Sequence, residues 1–187
     1  MKTINKIMAG VVGVVCVLLS LSSCNSIPEK ATPVAGFDIN KYMGVWYEIA
    51  RIDFKHERNL NNVSAQYTLN DKGNVDVVNS GYNYRRQKWE KAEAIAKFRG
   101  EKNVGALKVS FFGPFYSGYN VLAVDDDYNY ALVAGKNLDY LWILSRTQEI
   151  PLDIKSKYLE MASQIGYDTS RLTWVKHDKE NPYLKGK

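Results

Sequence analysis

Trp89-Glu90-Lys91-Ala92-Glu93-Ala94-Ile95-Ala96-Lys97-Phe98 alternates with a period of two. Ala92, Ala94, Ala96 and Phe98 fall on one face, while Lys91, Glu93, Ile95 and Lys97 fall on the other. A helix would mix these two sets; a half-buried strand separates them. Similar apolar stretches recur at 45–52, 63–69, 75–79, 107–112, 118–124, 130–134 and 140–145. Turn signals separate them, among them Asn70-Asp71-Lys72-Gly73, residues 83–87 and 100–103, Asp125-Asp126-Asp127 and residues 135–139. Eight strand candidates in chain order, with no helical pattern between them, predict an all-β antiparallel meander. Eight is about the number at which such a sheet closes into an up-and-down barrel with a small interior.

One helix should follow. Pro151-Leu152-Asp153 opens a stretch whose stripe is Ile154, Tyr158, Leu159, Ala162 and Ile165, and Gly166 ends it. Leu172-Thr173-Trp174-Val175 reads as a short ninth strand, and residues 177–187 as a loose polar tail. The 187 residues are 45% hydrophobic, 12% aromatic and 24% charged, which fits one globular domain and excludes a disordered chain or a multi-span membrane protein. The net charge of +5 is too mild and too evenly spread for a nucleic-acid partner.

The first residues have a different character. Lys2 and Lys6 precede an apolar run, and Leu21-Ser22-Ser23-Cys24 ends it. A basic start, a short apolar core and a small-residue site make a secretory signal over 1–23. The run is shorter than the roughly 20 apolar residues that a membrane span needs. Leu-Ser-Ser-Cys resembles the bacterial lipobox, which implies that Cys24 becomes the acylated N-terminus of the mature protein. Several acyl chains together give durable anchoring. Asn25 follows in place of an aspartate, which favours the outer membrane with the domain facing the periplasm. Residues 24–36, with Ser26, Pro28, Thr32, Pro33 and Gly36, read as a tether that extends roughly 30–40 Å. Cys16 leaves with the leader and Cys24 is acylated, so disulfides, Cys-ligated zinc and a Cys nucleophile drop out.

Three short motifs carry a family resemblance. Gly44-Val45-Trp46-Tyr47 opens the first strand after a one-turn segment over 38–43, Asp126-Asp127-Tyr128 starts the turn after the sixth, and Tyr140-Leu141-Trp142-Ile143-Leu144-Ser145-Arg146 ends the eighth in an arginine. In this order, ahead of a helix and a ninth strand, they resemble the conserved regions of the lipocalins. Asp126 stands where the family usually has threonine. Phe111-Phe112-Gly113-Pro114-Phe115-Tyr116 and Tyr47-Glu48-Ile49-Ala50-Arg51 look like the bacterial outer-membrane lipocalins, relatives of apolipoprotein D. The resemblance implies a lipocalin domain over about 37–176, in which Gly44, Trp46, Asp127, Tyr128 and Arg146 plug the closed end of the barrel, with the guanidinium over the indole.

Ligand contacts are expected higher up the same faces: Glu48 and Ala50 on the first strand, Tyr67, Ala94 and Phe98, then Phe111, Tyr119, Tyr140 and Trp142. The alanine row leaves volume unfilled, which favours a cavity over a packed core. An apolar and aromatic lining suits an acyl chain, and the resemblance implies fatty acids or lysophospholipids in membrane maintenance, transport or storage. Glu48 is the exception, read either as a ligand contact or as a carboxylate satisfied by a tyrosine or Arg51. The mouth would lie at residues 53–62 and 112–117, where Lys55, His56 and Arg58 could meet a head group. Catalysis is the weaker reading: only His56 and His177 exist, with no partner constellation, no metal set and no implied cofactor. A membrane-bound scaffold for a protein partner is the third reading. Relatives also allow a homodimer, for which no interface is marked.

Overall fold

The computed structural model describes residues 26–184; the leader and Cys24 lie outside the described residues. Eight strands follow one another: β1 Gly44–Ile52, β2 Leu60–Leu69, β3 Val75–Asn83, β4 Lys88–Phe98, β5 Ala106–Ser110, β6 Ser117–Val124, β7 Tyr130–Ala134 and β8 Leu141–Ser145. Each pairs antiparallel with the next, and β8 pairs with β1, which pairs with β2, so the sheet closes into a barrel. Every turn joins neighbours, the low-entropy route for a meander.

A single turn of helix, α1 (Ile39–Tyr42), precedes β1 at the closed end and is capped by the Asp38 carboxylate on Asn40 N–H. Helix α2 (Leu152–Ile165) packs on the outside of the barrel. Its apolar stripe buries Tyr158 and Ala162 against Ala50, Ile52, Leu132 and Ile143. Gly166 ends it at φ +111°, donating to the carbonyls of Ala162 and Ser163, a conformation that glycine adopts without a Cβ clash. Strand β9 (Leu172–Trp174) then pairs with the upper half of β1.

β1 therefore changes partner along its length. Gly44 to Tyr47 pair with β2, whereas Ala50 to Ile52 pair with β9. A bulge between Glu48 and Ala50 accompanies the change. One extra residue reverses which side chains face inward beyond it. Ala50 and Ile52 accordingly pack under α2, and Arg51 turns into the barrel. A second bulge, between Val121 and Ala123 on β6, sends Leu122 and Ala123 to the α2 side in the same way.

Both ends of the described chain dock on the barrel, against the expectation of a free tether and a loose tail. Val34 N–H donates to Val121 O at 2.8 Å and its carbonyl accepts from Gly105 N–H at 2.9 Å, while Ala31 is buried. Ser26 O accepts from Asn120 Nδ2 at 2.9 Å and lies so close to Gly118 that a Cβ there would collide with it. At the other end, Asn181 Nδ2 reaches Ser80 Oγ at 2.8 Å and Ser64 Oγ at 2.9 Å, all three residues buried on the outer face. Asn62 Oδ1 accepts from the N–H groups of Asp178 and Lys179. Burying such groups is tolerable because each finds a partner.

Candidate functional site

The closed end is sealed by the motif residues. Arg146 Cζ stands 3.9 Å from the Trp46 ring centroid, and Trp46 has no exposed surface. The guanidinium donates to three carbonyls: Lys41 at 2.7 Å, Val45 at 2.8 Å and Tyr128 at 3.0 Å. Trp46 Nε1 donates to Tyr42 O, and Asp38 N–H donates to the Tyr128 hydroxyl, which ties α1 to the β6–β7 turn. Gly44 sits at φ +97° beside this guanidinium. Asp127 does not take part as expected: it is solvent-exposed. Asp125 organises the turn instead, accepting from Tyr130 N–H with its carboxylate and from Tyr128 N–H with its carbonyl. The shift is one of register: the side chain that can reach back across this turn belongs to its first aspartate.

Above the plug lies a cavity of about 620 Å³, within the range of small-molecule sites. Its floor is a chain of tyrosine hydroxyls, Tyr42 to Tyr119 at 2.7 Å and Tyr119 to Tyr67 at 2.9 Å. Burial pushes all three phenols upward, so they remain neutral donors. Val75, Val77, Leu107, Val109 and Leu144 make the walls apolar. Ala92 and Ala96 line it, and Ala94 stands between them on the same inward face, packed near Val77. Small side chains in this row leave the space that larger ones would take.

Other expected lining residues divide by height. Tyr140 and Trp142 reach the upper wall, and Phe111 reaches the rim, where it is 40% exposed. Phe98 faces inward but lies lower, edge-on to Phe37 at 6.5 Å, and helps to close the base. Ala50 is the correction: the β1 bulge puts it outside, beneath α2.

The bulge also creates a polar cluster that the sequence pattern conceals. Arg51 Nη1 donates to Glu48 Oε1 at 2.7 Å with both residues buried, and Nη2 donates to the carbonyls of Glu57 and Leu60. Arg51 Nε reaches Asp53 Oδ1 at 3.1 Å. Glu57 Oε2 accepts from Trp142 Nε1 at 2.9 Å and stands 4.0 Å from Arg51 Nε. Three carboxylates thus surround one cation. Burial, reinforced by the Glu48 charge, pushes Glu57 up to about 8, and burial also raises Glu48. Glu48 is the better paired of the two, because Arg51 Nη1 donates directly to it. Asn79 adds one more polar point on the wall: its buried Oδ1 has no hydrogen-bond partner among the described residues and would accept from a bound molecule or water.

Phe54, His56, Glu57 and Lys136 join Phe112, Phe115 and Tyr116 around the opening. Lys55 and Arg58 point to solvent, and Arg58 Nε lies 3.5 Å from Asp53 Oδ2. His177 is on the outer face, with Nε2 2.9 Å from Glu48 O and its ring edge-on to Tyr47. The two histidines therefore do not share a site. The Glu48–Arg51 pairing that the sequence offers as one reading of Glu48 does form, whereas Tyr42, Phe54, Glu57 and Asn79 were not singled out as cavity residues from the sequence. The apolar alternation by itself points away from Arg51.

Comparisons with known proteins agree with this architecture. The outer membrane lipoprotein Blc of Citrobacter freundii is 48% identical over 168 residues, which cover 89% of this chain and 95% of that protein. Blc of Escherichia coli K12 is 50% identical over 148 residues, covering 79% and 84%. Apolipoprotein D of Mus musculus is 30% identical over 162 residues, with 82% of each chain covered. Insecticyanin of the tobacco hornworm Manduca sexta, 22% identical, superposes with a TM-score of 0.65 over 80% of this chain and 85% of its own. The lipocalin-like domain family matches residues 37–177, and with a sealed base, a closed eight-stranded barrel and a flanking helix this chain belongs to the lipocalins.

Proposed function

We propose that this lipocalin is a membrane-anchored binding protein for fatty acids or lysophospholipids, serving lipid storage, transport or membrane maintenance. The observation that carries this reading is the cavity of about 620 Å³, apolar along its walls and polar at its floor and upper wall. An acyl chain would lie along the valines, leucines and alanines, and a polar group would meet Glu48, Arg51, Glu57 or Asn79. Acylation of Cys24 anchors the domain, in keeping with the lipobox and with the names of the bacterial relatives. Those names, together with Asn25 in place of a retention-type aspartate after Cys24, support an outer-membrane location, with the domain facing the periplasm as part of the same proposal.

Binding accounts for these residues better than catalysis does. Glu48 pairs with Arg51 and Glu57 accepts from Trp142, and among the described residues none of these three charged groups stands beside a nucleophile with an orienting partner. Trp142 lies on the upper wall, so lysophospholipid titration followed by intrinsic fluorescence should give a saturable change that Trp142→Phe removes. A linear, unsaturable response would count against the binding reading. Metabolic labelling with a radioactive fatty acid tests the anchor, and label persisting in Cys24→Ser would refute it.

A further inference from the structure

We propose that the barrel lies mouth-down on the leaflet that holds its own anchor, with the loop at residues 111–116 immersed in the lipid interface. This inference rests on acylation of Cys24. Ser26 is fixed against Gly118 and Asn120, at the mouth end of β6, immediately after that loop. Cys24 is two residues upstream, within at most about 7 Å of chain. The anchor therefore enters the membrane beside the mouth and not at the end of a long tether.

The same end carries the exposed aromatic surface. Phe112 and Phe115 are 80% and 81% exposed, far more than any other described aromatic side chain. They are also continuous with the cavity opening. Tyr116 lies against the outer wall with Lys108 Nζ 5.0 Å and Lys97 Nζ 5.7 Å from its ring centroid. Projecting apolar rings backed by a tyrosine and ammonium groups match a phospholipid surface, with acyl chains for the rings and phosphates for the cations. Lys55, Arg85 and Lys136 are exposed on the other mouth loops and extend the same complementarity. A lipid could then pass between leaflet and cavity without crossing bulk water.

Spin labelling of the acylated chain tests this, because no native thiol remains once Cys24 is modified. Phe115→Cys would carry a nitroxide at the mouth, and Glu101→Cys would carry one at the closed-end loop. Both are reconstituted on vesicles of phosphatidylethanolamine and phosphatidylglycerol. The ratio of oxygen to nickel-chelate collision rates should be several-fold higher at 115 than at 101. Equal, water-like values on vesicle-bound protein would overturn the docking while leaving the anchor intact. A deeper label at 101 would overturn the orientation. A chain that is never acylated and stays in solution would remove the anchoring reading and the docking with it.

Discussion

Replacing Arg146 by alanine removes three hydrogen bonds and one cation–π contact at a single stroke. Bonds to a charged donor contribute about 1.5–3 kcal/mol each when well formed. The exposed bond to Lys41 O belongs at the low end of that range. A cation over a desolvated indole adds about 2 kcal/mol. These contributions share one side chain and do not add, so the expected loss is about 3–5 kcal/mol. For a domain of this size each kcal/mol moves the melting temperature by about 2–4 °C, which gives a fall of about 10 °C. Calorimetry of Arg146→Ala against wild type reads this directly. Arg146→Lys, which keeps charge over Trp46 but cannot serve three carbonyls, should fall between them. The cavity floor lies above the plug, so lipid affinity of the folded variant should change little. An unchanged melting temperature with abolished binding would refute the reasoning and make Arg146 a ligand contact.

Ala94→Trp should fill the cavity and weaken a fatty-acid probe at least about tenfold, roughly 1.4 kcal/mol, with little loss of stability; a solid core would instead unfold. Glu57 holds its proton in the folded state up to about 8, against an ordinary value of 4.5. The folded protein thus binds more protons than the unfolded chain across that window, and stability falls as pH rises through it. Glu57→Gln should flatten that slope by up to about 1.4 kcal/mol per pH unit in urea titrations, and parallel curves would contradict the assignment. Asn181→Ala removes two buried hydrogen bonds and leaves Ser64 and Ser80 only each other as partners, so it should lower the urea-derived stability by about 1–3 kcal/mol, whereas a loose tail would show no change.

Much of the barrel is written in the alternation of its strands. The stretch around Ala92 to Phe98 forms β4 with its alanines inward, and Tyr67, Tyr119 and Trp142 face the interior as their parity predicts. The two bulges mark where parity stops working. A local pattern carries no signal for one inserted residue, so Ala50 moves out and Arg51 moves in. The long-range tyrosine contacts at the floor are hidden for a related reason: Tyr42 and Tyr119 meet only once the barrel closes. Composition also misjudged the ends. Residues 26–36 and 177–184 are rich in polar and turn-forming types, yet Asn62, Asn120 and Asn181 give their polar groups specific buried partners.

The central claim is that the space above the tyrosine floor is a lipid site, and native mass spectrometry of the delipidated Cys24→Ser protein with a lysophospholipid series tests it most directly. Wild-type cavity residues should retain one lipid, with retention depending on chain length and head group, and Ala94→Trp should lose it. Failure of every lipid to remain bound, or equal retention by Ala94→Trp, would contradict the account.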